Sequence, residues 1–171
     1  MRNAIVGSLV TAAVSTFGDY LWANVLPHRQ PMYWFAHGAL LFLTVGFFLG
    51  LPARKPMSGA IGGVVVGLAA TGGFAALRPF IGYSGIFVMF VALWIGLGLL
   101  AGRVLQKRDG LSMVLARSAL AAVGSGLAFY AISGIWFPFN PHGWDYGRNF
   151  VYWTIAYLPG FAALLVELER R

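Results

Sequence analysis

The chain has 171 residues, of which 59% are hydrophobic and 10% charged, against roughly 45–50% and about 25% in soluble domains; this sets aside a water-soluble globule and, equally, a disordered segment. The absence of cysteine removes disulfide scaffolds, thiolate metal sites and cysteine nucleophiles. The net charge of +7 accompanies a mean hydropathy of +0.76, so the basic residues read as topology signals and contacts with anionic lipid heads, and no nucleic-acid partner is expected.

A membrane-spanning helix needs about 20 mostly apolar residues. Six stretches qualify, and they predict an all-α polytopic bundle of six transmembrane helices forming one integral membrane domain over 1–171. Span one covers 4–26 and repeats small residues at Gly7, Thr11 and Ser15. It is not expected to be a cleaved signal peptide, because only Arg2 precedes it and no small-residue cleavage pattern follows. A tight connector, Pro27 to Pro31, leads into span two, 32–51. After Pro52-Ala53-Arg54-Lys55-Pro56 comes span three, 58–77, with Gly59, Gly63 and Gly67 on one stripe. Missing side chains let two helices approach closely, so this stripe is a helix-packing face, within the chain or in a homo-oligomer. Arg78-Pro79 separates it from span four, 82–105. Span five, 111–136, spaces Ser118, Ala122 and Gly126 along one face. Span six, 150–168, is interrupted by Leu158-Pro159-Gly160, where a kink is expected to open space in the bundle. Spans two, four and six are bulkier, with Phe42, Phe47, Phe48, Phe87, Phe90, Trp94, Trp153 and Phe161, which suggests three hairpins, each a small-residue helix followed by a bulky one.

Orientation follows from the basic residues. Arg2, Arg54, Lys55, Arg103, Lys107, Arg108, Arg117, Arg170 and Arg171 fall on one side, and Arg29, Arg78 and Arg148 on the other. The richer side is the cytoplasmic one, so both termini are expected there. Arg117, just inside span five, is expected to snorkel to the interface, with Asp109 or Glu167 as alternative partners.

Ionisable groups inside a bilayer are costly and mark function by default. Asp19 and His37 are the two that stand out, each about 10 Å below the outer surface at 1.5 Å of rise per residue. The short connector makes spans one and two neighbours, so the pair is expected within reach of each other, with Ser15, Thr16 and Asn24 adding hydrogen-bonding capacity. Three roles are open: a structural clamp, an anchor for the polar head of a hydrophobic ligand, or an acid/base site. Ser15 is the nearby hydroxyl a hydrolase would need, but no GxSxG, HExxH or comparable motif is present, so no catalytic residue and no metal ligand is assigned. Arg78 lies on the same outer side and joins Asp19, His37 and Ser15 as a candidate anchor. The last connector runs from Trp136 to Asn149 and mixes aromatics with Pro, Gly and charges. It is either an interfacial belt or a lid whose His142, Trp144, Asp145 and Arg148 close over the outer end of the bundle.

The pattern Leu93-Trp94-Ile95-Gly96-Leu97, a charged inner loop from Arg103 through Asp109-Gly110, Tyr130 with Ser133-Gly134-Ile135, and a Leu158-Pro159 step resembles the Insig (insulin-induced gene) family of sterol-regulatory membrane proteins and their bacterial homologues. The likeness is topological over most of the chain and, in sequence, strongest from span four onward. The family's cysteines and its longer polar N-terminal tail are missing, and no family binding residue matches. The resemblance implies a membrane-embedded pocket for a lipid of the sterol or diacylglycerol class, a polytopic protein partner, and a bacterial cytoplasmic membrane as the setting. The expected function is non-enzymatic binding of a lipid or other hydrophobic ligand, as a sensor or regulator, with bound lipid and no identified cofactor. The alternatives are an accessory or assembly subunit of a respiratory or photosynthetic complex, and an intramembrane enzyme using Asp19 and His37.

Overall fold

The computed structural model describes residues 1–25, 30–106, 110–133 and 142–165. Residues 26–29, 107–109, 134–141 and 166–171 lie outside the described residues. With them go Arg29, Lys107, Arg108, Arg170 and Arg171 of the charge count, and the expected Arg117 partners Asp109 and Glu167.

The described residues form six α-helices and no strand: α1 (Arg2–Asn24), α2 (Gln30–Gly50), α3 (Pro56–Ile81), α4 (Gly85–Leu99), α5 (Leu111–Ser133) and α6 (Asp145–Leu165). Five are long and apolar enough to cross a membrane, α4 together with the π-helical segment Leu100–Gln106 that prolongs it. The sixth, α6, is 21 residues long but carries Asp145, Arg148 and Asn149 in its first turns. Each helix packs on its neighbours in chain order, and α6 closes the ring on α1; the α2–α3 contact is the most extensive and the α1–α2 contact much lighter.

The closest approach is built on glycine from both sides. A Cβ at Gly63 would lie 2.9 Å from the Gly46 Cα, and one at Gly59 would lie 3.0 Å from the Gly50 Cα. Gly67 sits under the Phe42 ring. The Gly59–Gly63–Gly67 stripe is therefore filled from within the chain, by α2. The matching stripe of α2, Gly38-Phe42-Gly46-Gly50, is hidden in sequence by the bulky residues on the helix's other faces. Small side chains gain dispersion contacts here that lipid does not supply.

Two helix ends differ from expectation. Arg78-Pro79 is not a break: α3 runs on to Ile81 with Pro79 inside it. Pro removes only one donor so near the end of a helix, and the stop is Gly82, whose φ of 60° suits a residue without a side chain. In the connector before α3, Arg54 takes φ 56° and its N–H donates to the Leu51 carbonyl (2.9 Å). Lys55 donates its Nζ to the Leu105 carbonyl of the π-helical segment (3.1 Å), tying the start of α3 to the end of that segment.

The core lies between α2, α4, α5 and α6. Trp94, Leu97, Val45, Leu49 and Phe161 are all fully enclosed. The space expected beside Pro159 is filled: the Trp94 indole presses on Gly160, and the Gly160 N–H donates to Ser125 Oγ of α5 (2.8 Å). A side chain from the neighbouring helix thus serves backbone that the proline disturbs, as in membrane helices generally.

Candidate functional site

Helices α1 and α6 run antiparallel, and a polar stripe on each meets the other. Ser15 and Asp19 are four residues apart on α1; Asn149, Trp153 and Tyr157 are spaced by four on α6, so each set shares a helix face. Deepest in the bundle, Ser15 Oγ and the Tyr157 hydroxyl are 3.2 Å apart, both side chains buried. One turn outward, Asp19 Oδ2 accepts from Asn149 Nδ2 (3.1 Å) and from Trp153 Nε1 (2.8 Å). At the outer end, Asn24 Nδ2 donates to the Tyr146 hydroxyl (2.7 Å).

The donors are held by packing. The Trp153 ring is stacked between Phe129 (5.5 Å, planes 18° apart) and Tyr157 (5.6 Å, 19°). Phe129 is in turn stacked on Phe90 at 4.7 Å. The aromatic core of α4 and α5 thus fixes the indole whose N–H meets Asp19. Asn149 is 1% exposed; its amide nitrogen is used on Asp19 while its Oδ1 has no partner. Thr16 Oγ1, three residues before Asp19, is also buried without a partner.

His37 lies beside this cluster without joining it. Its ring packs on Gly18, where a Cβ would collide with the imidazole, and it stacks on Tyr33 at 5.4 Å with planes 6° apart. Asp19 is held from α6, not by His37. Arg78 sits over the Trp34 ring, 4.8 Å from its centroid, on the α2–α3 side. Of the candidate anchors, then, Ser15 and Asp19 share one interface, His37 borders it, and Arg78 is elsewhere. Of the lid candidates, Asp145 accepts from the His142 backbone N–H (3.1 Å) and from the Arg148 guanidinium. Trp144 is 91% exposed. Asp145 and Arg148 open α6, His142 and Trp144 stand just before it, and Asp145 ties the His142 backbone to Arg148. Among the described residues no group of three His, Asp or Glu side chains could hold a metal ion.

This chain matches no family model, no curated protein and no solved structure. Its reading rests on the site itself.

Asn149, Trp153, Tyr157 and Tyr146 are the residues that sequence reasoning missed. A signal existed: an Asn, a Trp and a Tyr at intervals of four complement a Ser and an Asp at the same interval on another helix. Between the π-helical segment and α5, a hollow lined by Gly102, Gln106, Val114 and Arg117 has about 10 Å³ of free space, the room of one water molecule. It is not a lipid pocket.

Proposed function

We propose that this protein is a six-span integral membrane protein, with both termini cytoplasmic, that binds a lipid or other hydrophobic ligand without transforming it. The ligand's polar head rests on the Asp19–Asn149–Trp153 cluster in the outer half of the bundle. Its tail runs beside the lightly packed α1–α2 seam. One observation carries this reading: within an apolar bundle, Asp19 uses one carboxylate oxygen for two hydrogen bonds, while Asn149 keeps a buried carbonyl oxygen unpartnered. Buried polar atoms are normally satisfied, and an orphan in a native structure calls for a missing partner. Apolar sites with a few convergent polar groups are the usual form of small-molecule sites.

Binding is favoured over catalysis because the Ser15 hydroxyl is bonded to the Tyr157 hydroxyl and the His37 ring is stacked on Tyr33. A role as a sensor or regulator accords with the Insig-like pattern. Mass spectrometry of protein extracted in mild detergent tests the reading. A stoichiometric lipid is expected in the wild type and is expected to be lost in Asp19→Leu. A delipidated protein whose melting temperature no lipid raises, in a saturable way, would refute it.

A further inference from the structure

Two of the unfilled atoms of the outer α1–α6 cluster can only accept a hydrogen bond: Asp19 Oδ1, when ionised, and Asn149 Oδ1. Asp19 Oδ1 takes part in no hydrogen bond, and Asn149 Oδ1 and Thr16 Oγ1 are buried without partners. Asn149 Nδ2 and Trp153 Nε1 each donate an N–H to Asp19 Oδ2. A head group that fills both of the unfilled acceptor oxygens has to donate. Charge selects further. Both donors to Asp19 are neutral, so they solvate a carboxylate without cancelling its charge. No described basic side chain pairs with it: Arg78 lies over Trp34, Arg148 holds Asp145 and His37 is stacked on Tyr33. An uncompensated charge inside an apolar bundle is costly, and a cation placed against it removes that cost.

We infer that Asp19 and Asn149 bind a primary ammonium group carried by a long-chain or lipid amine. This rests on the lipid-binding reading above and adds the head-group class to it. Its N–H donors match the two orphaned oxygens, and its charge matches the carboxylate. A quaternary ammonium has the charge but no N–H, a hydroxyl has one donor and no charge, and an anion meets repulsion from Asp19. The tail leaves along the seam between α1 and α2, which pack lightly.

The test uses full-length protein in neutral detergent, titrated with dodecylamine, dodecyltrimethylammonium, dodecanol and dodecanoate and followed by melting temperature and calorimetry. Dodecylamine is expected to bind saturably and at least tenfold tighter than the other three, and Asp19→Asn is expected to abolish that preference. In a second arm, phosphatidylcholine nanodiscs doped with phosphatidylethanolamine are examined by native mass spectrometry. Enrichment of the ethanolamine lipid on the protein assigns the amine to a bilayer lipid, and dodecylamine binding without such enrichment assigns it to a free long-chain amine. If dodecanol binds as tightly as dodecylamine, or the amine preference survives Asp19→Asn, the ammonium assignment falls while lipid binding stands. If no probe binds saturably and no lipid copurifies, both fall. The wild-type ranking alone decides the matter should Asp19→Asn fail to fold.

Discussion

Trp153 does two things at once: its ring fills the gap between Phe129 and Tyr157, and its N–H reaches Asp19. Substitution by phenylalanine separates them, since an aromatic ring stays in the stack while the donor is lost. Hydrogen bonds to charged groups contribute about 1.5–3 kcal/mol, so Trp153→Phe is expected to lower stability by about that amount, read as a lowered melting temperature in detergent. In an Asp19→Leu background the same change is expected to cost much less, and equal costs in both backgrounds would show the bond to be idle. Gly18 makes a second residue-scale prediction. A methyl there collides with the His37 ring, so Gly18→Ala is expected to cost about 1–3 kcal/mol, the range for overpacking. Adding His37→Ala should return most of it, because the three atoms nearest that position all belong to the ring. Asp19 and His37 are legible in the sequence because ionisable groups interrupt apolar runs there. Their pairing with each other is not what the fold makes of them. Asn149 and Trp153 lie some 130 residues from Asp19, and only the antiparallel closure of α6 on α1 brings them together. A local pattern does not contain that register.

At the scale of helices, the α2–α3 contact depends on backbone meeting backbone. A Cβ at Gly46 would run into the Gly59 carbonyl and come within 2.8 Å of the Gly63 Cα, and neither is a flexible side-chain end. Gly46→Ala is therefore expected to destabilise by at least about 1–3 kcal/mol. Gly72, on the same hairpin, has only Phe35 at 4.0 Å. Gly72→Ala is expected to be neutral or to stabilise by about 0.5–1 kcal/mol, as for an open helical glycine. Thermal unfolding of the two variants side by side separates a packing requirement from a general effect of helical glycine. The stripe on α3 was readable because glycine repeats there without interruption. Its counterpart on α2 was not, because Phe42 breaks the repeat and neighbouring phenylalanines mask it. The start of α6 responds to pH. The His142 backbone N–H and the Arg148 guanidinium hold the exposed Asp145 carboxyl below the ordinary carboxylate range. A lowered folded-state value means that the carboxylate stabilises this turn at pH values above about 3.9, the ordinary value, and that the contribution is lost as pH falls through the folded value. Amide hydrogen exchange at 145–148 is expected to accelerate below that range relative to the middle of α6, and Asp145→Asn should remove the pH dependence.

For the whole molecule, the parity of crossings decides where the two ends lie, and α6 decides the parity. Five crossings would separate the termini; six would keep them together. The hydropathy of α6 is lowered by Asp145, Arg148 and Asn149, yet these residues are not spread along it. Asp145 and Arg148 are paired in its first turn, and Asn149 is buried against α1. From 150 to 165 only Thr154 has a polar aliphatic side chain, and its hydroxyl donates to the Phe150 carbonyl (2.8 Å) within the helix. At 1.5 Å per residue the 21 residues of α6 extend about 31 Å, the thickness of a bilayer's hydrocarbon core. A sixth crossing therefore leaves the charged turn in the outer interface, whereas a helix lying on the surface would strip Asp19 of its partners. Because the chain has no cysteine, single cysteines can be introduced and probed with a membrane-impermeant maleimide on intact cells. Phe80→Cys and Trp144→Cys, at side chains 83% and 91% exposed, are expected to react from outside. Met57→Cys, 67% exposed, and Arg171→Cys are expected to react only after the membrane is opened. Labelling of Arg171→Cys on intact cells, with Met57→Cys still protected, would remove α6 from the bilayer and the outer cluster with it.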